Sequence, residues 1–274
     1  MKSVMNLNDL SFDLHRGRIG LLLSMPHMGS YIPAEVGQAL VPRALDSEDA
    51  DWHMDRLYDF ALDLGASVLR PRLSRYVIDL NRPPDDTAMY PGASNTELCP
   101  TRFFTGEALY KPGQEPTPED KLKRRQAYWE PYHRALEQEL QRLRDLHGRV
   151  LLWDAHSIRS QLPWLFDGRL PDLNIGTADG QAAHPSIAQA VLNACATDPR
   201  YSHVLNGRFK GGYITRHYGR PESAIHAVQL ELCQYLYMQE TPPFAYLPDQ
   251  ARQLRPMLER MMRVAYQALQ ELRP

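Results

Sequence analysis

The sequence predicts an α/β domain, and three observations carry that expectation. Two apolar runs, Ile19 to Met25 and Val150 to Trp153, each have the length of a strand and each lead straight to a histidine, in Pro26-His27 and Asp154-Ala155-His156. Short continuous apolar runs suit strands buried on both faces of a sheet, and the carboxyl ends of such strands are where α/β sheets place their chemistry. Segments of helical spacing alternate with these runs.

Size and charge bound the reading further. The 274 residues are 43% hydrophobic, enough for a sizeable core in one domain spanning 1–274. The 31 basic and 33 acidic residues leave a formal charge of −2, which gives no general pull toward nucleic acid or membrane. A small-molecule substrate is the expected partner. Met1 to Arg18 has no continuous apolar core of a secretion signal and no later stretch reaches a membrane span, so a cytoplasmic setting is expected. Cys99, Cys195 and Cys233 form no CxxC pair and leave an odd count, which fits reduced structural thiols.

The elements follow in order. After the Ile19 strand, Asp49 to Leu64 carries Trp52, Leu57, Phe60, Ala61 and Leu64 at helical spacing and stops at Gly65. Ala66 to Leu69 and Tyr76 to Leu80 are expected as strands. Residues 83–118, rich in Pro, Gly, Asp and Thr, form a loop too long for an ordinary connection and are expected to cover or line the site. Leu136, Leu140, Leu143 and Leu146 make Pro131 to Leu146 an amphipathic helix, ended by Gly148 before the Val150 strand. A second loop, 160–177, also expected at the active site, precedes a helix at Pro185 to Ala196, a strand at Ala224 to Leu232 and a closing helix at Asp249 to Leu272. No repeat or low-complexity segment interrupts them.

Several residues stand out against plainer readings. His27 sits in a turn where a backbone-bonded structural histidine is common. His156 is a stronger sign of ligation, because residues two apart in a strand share a face and Asp154 can fix the tautomer of a ligating ring; the plain alternative is a strand-end pair. Two histidines delivered to one sheet edge suggest a metal site and hence a hydrolase. Asp51 and Asp55, four apart on the first predicted helix, are both candidates for a carboxylate ligand that with His27 and His156 leaves zinc an open position for water. Acids in a first turn also serve the helix dipole, and His53 between them is a weaker candidate. Asn81 and Arg82 leave the Tyr76 strand just before Pro83-Pro84, where amide and guanidinium suit a substrate carboxylate, although an arginine there can simply pair with a surface acid. Arg75 opens the same strand as a second positive charge. Glu231 lies inside the apolar run Val228 to Leu232, which points to a general base beside a metal-bound water or to a buried ion pair.

Taken together, Pro26-His27-Met28-Gly29, Asp51-Trp52-His53-Met54-Asp55, Ser74-Arg75-Tyr76-Val77-Ile78-Asp79-Leu80-Asn81-Arg82-Pro83, Asp154-Ala155-His156-Ser157, Phe209-Lys210-Gly211-Gly212-Tyr213-Ile214-Thr215 and Gln229-Leu230-Glu231-Leu232 resemble the N-formylglutamate amidohydrolases, in order from residue 18 to residue 235. The resemblance implies a mixed sheet flanked by helices, similar to zinc carboxypeptidases and aspartoacylases. It also implies one Zn2+ per chain and release of formate and L-glutamate from N-formyl-L-glutamate in histidine degradation. By the same analogy His27 and His156 are metal ligands, Asn81 and Arg82 bind a substrate carboxylate, and Glu231 is the base. That superfamily's ligand three residues after the first histidine is a glutamate, whereas here Ser30 stands there. Asp51 or Asp55 is therefore expected to take its place. Arg75 is expected to help hold the oxyanion, and Gly211 to Arg216, with Tyr213 and Arg216, is expected either as a second clamp or as an ordinary turn. The alternatives are a related zinc deacylase or carboxypeptidase acting on another N-acyl amino acid, or a metal-free amino-acid-binding protein of the same fold.

Overall fold

The computed structural model describes residues 11–89 and 96–273. Seven strands form one mixed sheet: β1 Phe12–His15, β2 Leu21–Ser24, β3 Ser67–Pro71, β4 Val150–Ile158, β5 Leu173–Gly176, β6 His203–Leu205 and β7 Ile225–Cys233. Their spatial order is β1-β3-β2-β4-β7-β5-β6. β3, β2, β4 and β7 run parallel, β1 and β5 are antiparallel to the neighbours that join them to this centre, and β6 is parallel to β5.

Period-two alternation sends the central strands into two cores. Leu21, Leu23, Leu151 and Trp153 face the helices Pro185–Ala196 and Pro248–Gln270 through Ile187, Val191, Leu258 and Met262. Leu22, Val150 and Leu152 face the helix Glu130–His147 through Leu136, Leu140 and Leu143. β4 is buried along its whole length, as its apolar composition requires. A third, smaller core joins Val36, Leu40, Leu73 and Tyr76 to Phe103, Leu109 and Tyr110. The described part of the 83–118 loop is thus packed by its own side chains; residues 90–95 of it, like residues 1–10 of the N-terminal stretch, lie outside the described residues. Among the described residues no helix is long and apolar enough to cross a membrane.

Three segments depart from the sequence reading. The expected helix Asp49 to Leu64 is two short helices, Met54–Leu57 and Phe60–Leu64, preceded by a loop. Helix is blocked there because Asp51 donates its N–H to the His27 carbonyl (2.9 Å) and His53 takes a left-handed backbone, φ 63°. Tyr76 to Leu80 is a buried series of turns rather than a strand: Asp79 donates its N–H to Leu98, and its side chain is spent on other partners. The 160–177 loop contains β5, too short and too polar at Asn174 to stand out by alternation. β1, β6 and the helix Tyr213–Tyr218 also escaped the sequence reading.

One polar network fixes the helix Glu130–His147 to the sheet. The buried Glu139 carboxylate accepts from Ser67 Oγ (2.5 Å) and from Arg142 Nε and Nη2 (2.9 and 2.5 Å), while Ser67 Oγ accepts from the Gly17 N–H (2.9 Å). Burial pushes the Glu139 carboxyl upward, but Arg142 and Ser67 outweigh it and hold its pKa below 4.5. The Glu139→Gln variant should lose about 1–3 kcal/mol at pH 7, the cost of breaking charged hydrogen bonds in a buried place. Because the folded pKa is depressed, the carboxylate's contribution is present above the unfolded value and vanishes as pH falls through the folded one. Urea unfolding of the two proteins should therefore differ most at neutral pH, begin to converge near pH 4.5 and coincide only once pH has fallen through the depressed folded pKa.

Candidate active site

The parallel centre of the sheet sets the site's geometry. β4 runs on after its last pairing with β2, Ser24 with Asp154, so that His156 emerges beyond the end of β2 with Glu231 of β7 directly beside it in register. His27 follows β2 in a turn pressed against residues 72–73, where a Cβ on Gly29 would stand 2.3 Å from the Leu73 carbonyl oxygen. The Asp51 N–H on the His27 carbonyl then draws a carboxylate to the same point.

Three buried donor atoms converge there. His27 Nδ1 and His156 Nδ1 are 3.2 Å apart, and Asp51 Oδ2 lies 3.3 Å from the latter and 3.8 Å from the former. Tetrahedral ligands bonded at 2.0–2.2 Å stand about 3.3–3.6 Å from one another, and the three separations here, 3.2, 3.3 and 3.8 Å, bracket that spacing. Neither oxygen of Asp51 has a hydrogen-bond partner although both are buried, a costly state that a cation would relieve. Behind the rings, His27 Nε2 donates to Asp79 Oδ1 (2.7 Å), and His156 Nε2 lies 3.1 Å from Asp154 Oδ1. A carboxylate on the far nitrogen is the usual support of a ligating imidazole and directs Nδ1 to the metal. The donor set of two imidazoles and one carboxylate fits a divalent ion such as zinc.

The supporting charges are themselves paired. Asp79 Oδ2 accepts from Arg75 Nη2 (2.6 Å), and Asp154 Oδ2 accepts from Thr215 Oγ1 (2.9 Å). Burial and the nearby Arg75 hold His27 below the usual histidine range. Burial works the same way on His156 but is outweighed by Asp154 and Asp51, so its pKa stands well above 6.5. Glu231 is pushed up to about 8 by burial and by the Asp51 charge, against the pull of His156 and Arg75. Positive charge held by the three ligands would draw it down again.

A cavity of about 70 Å³ opens on this group, and His27, Arg75, Asn81, Arg82, His156 and Glu231 all line it. Asn81 is gripped on both flanks: His133 Nε2 donates to the Leu80 carbonyl (2.9 Å) and Trp129 Nε1 to that of Arg82 (3.1 Å). Its Oδ1 accepts the Ile214 N–H (2.8 Å), and its Nδ2 stands 3.0 Å from His156 Nε2. Arg82 is anchored by Nε and Nη2 on Thr96 and by Nη1 on the Asn81 carbonyl. A Cβ on Gly212 would meet Asn81 Nδ2 at 2.2 Å, so only glycine fits there.

Other expected residues lie elsewhere. Asp55 lines a separate depression with Asp13, Tyr58 and Arg70, because the chain bends at His53 and no helix face unites it with Asp51. His53 is turned to the Phe244 carbonyl (2.8 Å). Tyr213 packs between Trp129, His133 and His217, and Arg216 is exposed with Nε on the Gly211 carbonyl; neither lines the cavity. The sequence reading gave no role to Asp79, Thr96, Phe104, Leu165, Arg208, Phe209 or Gln229. Asp79 carried the same signal as Glu231, an acid inside an apolar run. Asp79→Asn keeps shape but removes the charge behind His27, and metal affinity should fall roughly 10- to 100-fold in a chelator competition titration.

The chain is similar to proteins of known family. A family model described as N-formylglutamate amidohydrolase matches residues 19–238. An N-formylglutamate deformylase of Pseudomonas putida is 51% identical over 254 residues, 93% of this chain and 95% of that protein. One from Pseudomonas aeruginosa is 51% identical over 247 residues, 90% of this chain and 92% of that protein. The crystal structure of N-formylglutamate amidohydrolase from Ralstonia eutropha JMP134 has the same fold, with a TM-score of 0.81 at 23% identity over 96% of this chain and 100% of that one.

Proposed function

Since the chain belongs to the N-formylglutamate amidohydrolase family, we propose that its site works with one Zn2+ held by His27, Asp51 and His156 and with Glu231 as general base. The chain is an amidohydrolase that cleaves the formyl amide of N-formylglutamate. The observation that carries the metal reading is the convergence of two Nδ1 atoms and an unpartnered carboxylate within 3.8 Å. A divalent ion there supplies Lewis acidity, lowering the pKa of water and offsetting negative charge on a carbonyl oxygen.

The chain's own residues supply the rest. Glu231, in register with His156 on the neighbouring strand, takes the proton of the attacking water and returns it to the departing amine. Arg75, fixed by Asp79 and lying over the Phe104 ring at 4.5 Å, presents a positive charge at the cavity wall where the carbonyl oxygen gains charge. Asn81 and Arg82 bind a carboxylate of the substrate. Among the described residues three N–H groups of Arg82 are engaged as described, and the two others of its five suit a bidentate contact. Release of formate and L-glutamate in this way fits the closing step of one route of histidine degradation, in the cytoplasm.

The test combines metal analysis with formate release. Purified protein should carry close to one zinc per chain, and His27→Ala or His156→Ala should lose metal and turnover together. Glu231→Gln should keep its metal while kcat drops roughly a hundredfold or more. Full turnover by metal-free protein would remove the metal from the reaction, and a Glu231→Gln variant within a few-fold of the parent would remove the base.

A further inference from the structure

We propose that Arg208 is the second carboxylate clamp of this site, taking the side-chain carboxylate of the substrate while Arg82 takes the α-carboxylate. This rests on the reading above that the substrate is an N-formyl dicarboxylic amino acid. Two substrate carboxylates entering a cavity that already contains Glu231 and adjoins Asp51 require more than one cation to replace their water. Three arginines line the cavity, Arg75, Arg82 and Arg208.

Their surroundings divide the work. Arg75 is tied to the metal-binding end by Asp79 (2.6 Å) and lies 3.3 Å from His27 Nδ1. Arg82 adjoins Asn81, which touches His156, and its charge acts on Asp79. It therefore stands near the carbon that bears both the scissile nitrogen and the α-carboxylate. Arg208 comes from a different segment, between β6 and the helix Tyr213–Tyr218. Its Nη2 donates to the Leu165 carbonyl (3.3 Å) and its guanidinium lies 5.6 Å from the centre of the Phe209 ring. Leu165, Phe209 and Phe104 line the same cavity. An apolar wall ending in a guanidinium matches a side chain of two methylenes ending in a carboxylate.

The experiment measures kcat/KM of the metal-loaded parent, Arg208→Gln and Arg208→Lys on N-formyl-L-glutamate, N-formyl-L-glutamine and the α-amide of N-formyl-L-glutamate. The parent should prefer N-formyl-L-glutamate over N-formyl-L-glutamine, and Arg208→Gln should reduce that ratio by roughly tenfold to a hundredfold. Arg208→Lys, which keeps the charge and loses the fork, should fall between. The α-amide, which still carries the side-chain carboxylate, should suffer from Arg208→Gln as much as N-formyl-L-glutamate does. An unchanged ratio with equal loss on all three compounds would make Arg208 a structural residue. A loss that spares the α-amide would assign it the α-carboxylate instead. Either result overturns the proposal. Failure of the parent itself to release formate from N-formyl-L-glutamate would overturn the reading of the reaction first, and is seen without any variant.

Discussion

Two imidazole nitrogens and a carboxylate oxygen brought within 3.2–3.8 Å of each other, away from water, are the constraint on which the rest of this molecule depends. Left to themselves such groups repel or bind protons, and Asp51 has given up its hydration without gaining a hydrogen bond. The convergence persists because each backbone is held by something else. β4 lies at the centre of the sheet and cannot shift without slipping its register with both neighbours. The Asp51 loop is pinned from the chain that follows β7: Tyr237 Oη donates to the Trp52 carbonyl (3.0 Å) and Gln234 Nε2 to that of Ala50 (3.2 Å). The strand that delivers Glu231 thus also positions the loop that delivers Asp51.

Charge alternates outward from this point. Arg75, Asp79 and His27 form one arm, and His156, Asp154 and Thr215 form the other, each member within hydrogen-bond or ion-pair distance of the next. In a medium of low polarity such a sequence is stable only when complete, since removing one member strands the next as an unpaired buried group. A cation between the arms completes both. The site is accordingly a continuous polar seam through an otherwise apolar core, with Leu23, Trp153, Ala155 and Leu230 packed beside it.

How much of this was legible in the sequence depended on whether a residue's role was local. His27, His156 and Glu231 stand out because strand ends and an acid in an apolar run are local signals, and the structure brings them together. The helix Pro185–Ala196 was also legible to the residue, since proline starts it and its periodicity is unbroken. Asp51 could not be separated from Asp55 because the distinction is made by a long-range bond to His27 and a left-handed His53, neither of which spacing encodes. Tyr76 to Leu80 carried a strand's composition, but Asp79 within it is committed to two ion pairs, and tertiary demand outweighed propensity. Arg216 stood out in the sequence because it follows the paired glycines. Gly211 and Gly212 instead serve the close approach of backbone to Thr215 and Asn81, not the aim of a following arginine.

The segment carrying Arg75, Asp79, Asn81 and Arg82 has no regular structure, yet it lines the cavity with as many residues as β4 does, Arg75, Asn81 and Arg82 against His156, Ser157 and Ile158. Its rigidity comes from outside. A π-turn, Arg125–Trp129, immediately precedes the helix Glu130–His147 and helps set the position of Trp129, which takes the carbonyl after Asn81. One turn further, His133 takes the carbonyl before it. Tyr218 Oη lies 2.9 Å from His133 Nδ1, and with Nε2 donating to Leu80 that nitrogen is the acceptor. Burial holds His133 at a pKa of about 3, so it stays neutral and keeps this tautomer at neutral pH. A helix whose own side chains do not line the cavity therefore determines where Asn81 and Arg82 stand, and the edge of the cavity they form is as fixed as the strands that carry His156 and Glu231.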